Sequence, residues 1–172
     1  ERRAESLGCD MRKGQPTPGN IEGGLTTIEE KSLGAIAKSG TRKIQGVLEY
    51  PASAKGCKGL WIKDSPGREP EILTGMGATG AQVMLFSTGR GAPQGFPSMP
   101  VIKVCGNPLT YERMENDMDI NAGKVISGIS TISEVGEETF ALLLDVLSGR
   151  STKNEALGYF GSIDIHTLGP VI

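Results

Sequence analysis

Four apolar residues in a row, Val83-Met84-Leu85-Phe86, run directly into Ser87-Thr88-Gly89-Arg90-Gly91. A short apolar run closed by glycines reads as a buried strand of a parallel sheet. The reading places a central buried strand at 82–86. Such sheets gather ligand sites at the carboxyl ends of their strands. There this chain offers two hydroxyls, two glycines and a guanidinium. Glycine lets backbone approach a ligand closely. Arginine presents a planar fork that fits a carboxylate or phosphate. The expectation is a small-anion site at Thr88, Gly89, Arg90 and Gly91. A solvated turn with a surface arginine is the plainer alternative.

The rest of the chain bounds that expectation. At 172 residues it suits one domain with a self-sufficient core. A net charge of −2 gives no electrostatic case for nucleic acid. No apolar run approaches the ~20 residues a membrane span needs, and no secretory signal is read. The three cysteines, Cys9, Cys57 and Cys105, are widely spaced and form no paired metal motif, so they read as reduced thiols of a cytoplasmic protein. His166, the one histidine, reads as a strand or tail residue. The 25 glycines have no fixed period, which excludes collagen-like and solenoid folds. The chain starts on Glu1, and a piece of something longer is expected.

Alternating strand and helix signals follow one another. Residues 1–24 read as an irregular lead-in, because prolines at 16 and 18 remove donors and fix φ. A helix opens at Leu25–Glu30, where Thr26/Glu29 and Thr27/Glu30 both have capping-box spacing, and stops near Gly40. Strands are expected at 44–50 and 59–63. A glycine-rich helix over 71–80 is intrinsically weak, so something must press against it. Val101–Cys105 is the next strand. Pro108–Glu115 is a short helix capped by Asn107. Asp117–Gly123 is non-helical; its two carboxylates and amide suit a turn or a hard cation. Thr131 and Glu134 box a long amphipathic helix over 132–148, with Ile132, Val135, Phe140, Leu143, Val146 and Leu147 as its apolar stripe. The tail, 159–172, holds one strand at 163–165. Together these predict an α/β layered domain with a largely parallel sheet flanked by helices, a single domain over 1–172.

Several segments carry a resemblance. Pro16-Thr17-Pro18-Gly19-Asn20-Ile21-Glu22-Gly23-Gly24-Leu25-Thr26-Thr27-Ile28-Glu29-Glu30-Lys31-Ser32-Leu33-Gly34, then Ser87-Thr88-Gly89-Arg90-Gly91-Ala92-Pro93, then Met118-Asp119-Ile120-Asn121-Ala122-Gly123 resemble the C-terminal part of the altronate/galactarate dehydratase family. Gly46–Tyr50 and Ser148–Gly158 are similar to further segments of it. The altronate type is the nearer. Two departures stand out: Ser87 where the family often has threonine, and Tyr159-Phe160-Gly161-Ser162 where many altronate-type members continue His-Arg-Glu-Phe.

The resemblance implies a hydro-lyase that removes water from a six-carbon sugar acid to give a 2-keto-3-deoxy acid. It implies a divalent metal, Fe2+ first and Mn2+ second, bound mainly outside this chain, with ligands unassigned. It also implies a longer parent enzyme, of which this is the C-terminal fragment, inactive alone, and a homo-oligomer of the full-length form. Charge type and loop position then nominate Arg90, Asp119 and Lys31 as catalytic. Asn20, Glu30, Thr88, Gly89, Gly91 and Asn121 are nominated as substrate-binding. The alternatives are a non-catalytic structural or dimerisation domain of the same enzyme, or a sulfo-lyase or other sugar-acid lyase of the same family. A nucleotide-binding module is disfavoured, because neither a Gly-x-Gly-x-x-Gly after the first strand nor a Walker sequence is present.

Overall fold

The computed structural model describes residues 5–8, 10, 14–22, 24–161 and 163–166. In chain order its elements are α1 (Pro18–Glu22), α2 (Ile28–Lys38), β1 (Ile44–Leu48), β2 (Leu60–Lys63), α3 (Glu69–Thr79), β3 (Met84–Thr88), β4 (Val101–Cys105), α4 (Pro108–Arg113), β5 (Ile120–Asn121), α5 (Gly123–Ile126), α6 (Ile132–Leu147) and α7 (Lys153–Ala156). Helices and parallel sheets make this an α/β fold, as the alternating pattern predicts. No described helix is long and apolar enough to cross a membrane. Packing divides the chain into two compact units. Among the described residues, the first comprises 5–8, 10, 14–22, 24–46 and 58–61; the second comprises 47–57, 62–161 and 163–166.

In the first unit, α1 corrects the expected irregular lead-in. Pro18 stands at the first helical position, where its missing N–H would be unpaired anyway. The preceding Thr17 caps it, its hydroxyl accepting from the Asn20 N–H at 3.4 Å. Thr27 caps α2 and accepts from the Glu30 N–H at 3.2 Å. The reciprocal half of that box is displaced by one residue: the Glu30 carboxylate accepts from the N–H and hydroxyl of Thr26, at 2.8 and 2.5 Å. Of the two spacings seen in the sequence, Thr27/Glu30 forms the cap, while Thr26 bonds to Glu30 and not to Glu29. Gly46 lies under the Trp61 ring, where a Cβ would fall 2.7 Å from Cζ3.

The second unit is layered. Its three-stranded sheet has the order β3-β4-β5, all parallel, with Met84 opposite Val101, Thr88 opposite Cys105, and Cys105 opposite Asn121. On one face Leu73 of α3 packs with Phe96, Met99 and Val101. On the other, Val135 and Val146 of α6 pack with Ile102 and Ile120. Burying each such side chain is worth about 1.5–3 kcal/mol. The weak α3 is pressed as expected: Tyr50 covers Gly75, and the Phe96 ring covers Gly77. Tyr50 is itself held by its hydroxyl on the Glu71 carbonyl, 2.9 Å.

Several expectations are corrected here. The first strand of this sheet is Met84–Thr88, not 82–86, and it is an edge strand with Leu85 exposed. Central position belongs to β4, apolar on both faces except at Lys103. An apolar run of four cannot separate these cases, because one face of an edge strand can be apolar and still uncovered. The segment 117–121 is not only a turn, since Ile120–Asn121 pair with β4. No strand forms at 163–165. Residues 162 and 167–172 of the tail lie outside the described residues. Helix α6 is the longest described, fully boxed by Thr131 and Glu134, as expected. Its stripe is only half covered, however: Val135 and Val146 are buried while Ile132, Phe140 and Leu147 are exposed. Cys57 and Cys105 are free thiols; Cys9 lies outside the described residues.

Candidate functional site

The carboxyl ends of β3, β4 and β5 set three side chains in register: Thr88, Cys105 and Asn121. Each alternates away from the α6 face, because Ile102, Val104 and Ile120 occupy that face. The turn after Thr88 is firmly built. The Thr88 hydroxyl accepts from the Gly91 N–H at 3.1 Å, and its carbonyl accepts from the Gly106 N–H at 2.9 Å. Thr110 donates its hydroxyl to the Gly89 carbonyl at 3.0 Å. Gly91 has φ +85° and lies against the Met114 sulfur, so no other residue fits there without strain. Arg90 stands at the tip of this turn, exposed and without an ion pair among the described residues. Asn121 Oδ1 is buried and receives no hydrogen bond among the described residues. A buried unpaired acceptor costs free energy unless a ligand or water supplies the donor.

One residue pair back along the strands lie Phe86, Lys103 and Asp119. Lys103 is fully buried. Its ammonium donates to Glu69 Oε1 in the first turn of α3, and sits 4.3 Å from the centre of the Phe86 ring. Burial pushes its pKa below the ordinary lysine value; the hydrogen bond and charge of Glu69, and the charge of Asp119, oppose that shift. Asp119 has both oxygens committed. One accepts from the Lys103 N–H at 2.7 Å, the other from the Lys153 N–H at 2.9 Å. It ties β4 to the start of α7, and so fixes where Asn121 emerges two residues later.

The nominated residues therefore fall into two groups. Thr88, Gly89, Arg90, Gly91, Asp119 and Asn121 come together in the second unit. Asn20, Glu30 and Lys31 belong to the first. There the Lys31 ammonium donates to Gln15 Oε1 at 2.6 Å and Asn20 Oδ1 at 2.9 Å. Glu30 is exposed, and its bonds to the Thr26 hydroxyl and N–H hold its carboxyl below the usual range.

Sequence reasoning missed Lys103 and Glu69. The available signal was a lysine flanked on both sides by apolar residues, in a strand apolar throughout. A solvated edge lysine would share that pattern. Among the described residues no three His, Cys, Asp or Glu side chains converge as a metal-ligand set. Both Asp119 oxygens accept main-chain N–H groups, and the described residues gathered here make no ligand set that fits a divalent cation.

Residues 1–169 match the family described as D-galactarate/altronate dehydratase, C-terminal. Over 151 residues the chain is 42% identical to a (2R)-sulfolactate sulfo-lyase subunit beta of Chromohalobacter salexigens, covering 87% of this chain and 39% of that protein. It is 38% identical to a galactarate dehydratase (L-threo-forming) of Escherichia coli, covering 96% and 32%. It is 36% identical to an altronate dehydratase of Bacillus subtilis, covering 81% and 28%. The chain thus spans less than two-fifths of the length of the curated relatives it matches.

Proposed function

The chain belongs to the C-terminal D-galactarate/altronate dehydratase family, and from that premise we propose that its full-length protein eliminates water from a six-carbon sugar acid of the altronate class. The product is a 2-keto-3-deoxy acid. The observation that carries this reading is the in-register row Thr88–Cys105–Asn121 beside an exposed Arg90 that has no ion pair among the described residues.

A proton next to a carboxylate is very weakly acidic. Its removal builds an enediolate, which needs concentrated positive charge and fixed donors. Arg90 supplies a two-pronged clamp for the substrate carboxylate. The Thr88 hydroxyl hydrogen is free to donate, because its oxygen already accepts from Gly91. Asn121 Oδ1 takes a sugar hydroxyl in the place of the missing donor. Asp119 positions this end of the sheet rather than touching substrate. The divalent cation of the proposal, Fe2+ or Mn2+, belongs to parts of the enzyme beyond these residues.

A second reading is supported by the 42% identity to a protein named as a sulfolactate sulfo-lyase subunit. Loss of sulfite rather than hydroxide from the β-carbon needs the same α-proton abstraction. The test is a product assay on the full-length protein, anaerobic with Fe2+, against altronate, galactarate and sulfolactate. Formation of a 2-keto-3-deoxy acid is expected. Sulfite release without sugar-acid dehydration would replace the first reading with the second. These 172 residues alone should fold and show little or no turnover.

A further inference from the structure

We propose that Glu69 is the general base of this site and that the buried Lys103 is its positioning and charge-balancing partner. This deepens the elimination reading and rests on it. Glu69 reaches over the sheet from the first turn of α3 and keeps a fifth of its side chain exposed, whereas Lys103 keeps none. Only the carboxylate can therefore meet a substrate. Lys103 stands two residues before Cys105 on β4. At about 3.3 Å per residue, that places the pair roughly 7 Å along the strand from the row of Thr88, Cys105 and Asn121. Both lie on the sheet face opposite α6.

Charge explains why the lysine is there. A sugar acid arrives as an anion, and a bare carboxylate base would repel it. Lys103 has three N–H donors. One meets Glu69 and the ammonium faces the Phe86 ring, so its charge is spent on the base and not on solvent. The pair presents a basic oxygen with little net charge. In the reaction, Glu69 takes the C2 proton. The C–H electron pair first passes into the carboxylate as an enediolate; it then forms the C2–C3 double bond as the C3–O bond breaks with its own pair. The departing hydroxide takes the proton back from Glu69 and leaves as water. Glu69 is restored, and the enol product tautomerises to the keto acid.

The experiment uses the full-length protein. If the unaltered enzyme eliminates from none of the three acids, the functional reading fails and this proposal with it. If it is active, Glu69→Gln is expected to lower kcat by about 100-fold or more with KM within about threefold, in the range of a lost acid–base group. It should also abolish exchange of the C2 hydrogen with deuterated solvent. Lys103→Met should raise KM for the anionic substrate by at least about tenfold. Near-normal kcat and C2 exchange in Glu69→Gln would overturn the base assignment while leaving the function intact. An unchanged KM in Lys103→Met would overturn the charge-balancing role. Should Glu69→Gln fail to fold, the double variant Glu69→Gln/Lys103→Met carries no unpaired buried charge. It must then fold and still lack turnover, and an active double variant refutes the proposal.

Discussion

Removing one member of the Glu69–Lys103 pair should not cost the same as removing the other. Lys103 has no exposure and, among the described residues, no other side-chain acceptor for its ammonium, while Glu69 is a fifth exposed. In Glu69→Gln the ammonium keeps an acceptor oxygen but loses its counter-charge in a dry site. Breaking a buried pair in this way costs about 3–5 kcal/mol. In Lys103→Met the volume is nearly conserved, the desolvation penalty disappears, and water reaches the remaining carboxylate. The expected change there runs from none to a gain of about 2 kcal/mol. At about 2–4 °C per kcal/mol for a chain of this size, Tm should fall by roughly 6–20 °C in the first variant and hold or rise in the second. The pH dependence has a definite sign. Burial lowers the lysine's native pKa below its unfolded value. The native state therefore binds fewer protons between the two values, and stability rises with pH through that window up to about 10.4. Losing the Glu69 charge removes the larger contributions that oppose the shift and leaves only that of Asp119, so the window widens downward. The deficit of Glu69→Gln should then shrink as pH climbs, and Lys103→Met should lack this rise. Calorimetry of both variants from neutral pH upward checks it. Equal destabilisation in the two variants, or a Glu69→Gln deficit that grows with pH, would refute the account of a costly buried ammonium.

Three further outcomes follow from the packing and the turn. Gly75→Ala should destabilise by about 1–3 kcal/mol, because its Cβ would overlap a Tyr50 ring pinned through Glu71, while Gly136→Ala in the open face of α6 should gain up to about 1 kcal/mol; paired denaturant titrations separate them. Asp119→Asn turns one acceptor into a donor facing a main-chain N–H, at a cost of about 2–3 kcal/mol by the same titration, with faster amide exchange at Lys103 or Lys153. Arg90→Lys should change stability by less than about 0.5 kcal/mol and lower kcat/KM of the full-length protein by about 10–1000-fold, as thermal melts and steady-state kinetics would show.

Local signals in this sequence were strong where one residue's chemistry decides the outcome. Thr131 and Glu134 specify a helix start whatever surrounds them, and Asn107 with Pro108 does the same for α4. The need for a partner against α3 was legible too, since glycines 75 and 77 leave room that only another side chain fills. What failed was anything decided by neighbours. Val83–Phe86 reads as central, yet the centre is β4, because being central depends on which strands pair and not on the run itself. Ile132 and Phe140 belong to the apolar stripe of α6 by spacing, but spacing does not say how wide the covering layer is.

The candidate site shows the same division. Thr88, Arg90 and Asn121 could be nominated because loops after strands are where polar groups meet ligands. Asp119 was nominated on the same ground, yet its carboxylate serves two main-chain N–H groups 50 residues apart in sequence, at Lys103 and Lys153. Lys103 escaped for the opposite reason. Periodicity treats a lysine as evidence of a solvated position, and nothing in Val-Ile-Lys-Val-Cys says otherwise. Only the fold brings Glu69, 34 residues earlier, to meet it. A buried lysine is expensive to keep, and a methionine would fill the same space without the penalty. At this position stability alone favours the other residue. That conflict between local cost and retained charge is what the proposed role predicts, in which Lys103 is kept for its effect on an anionic substrate.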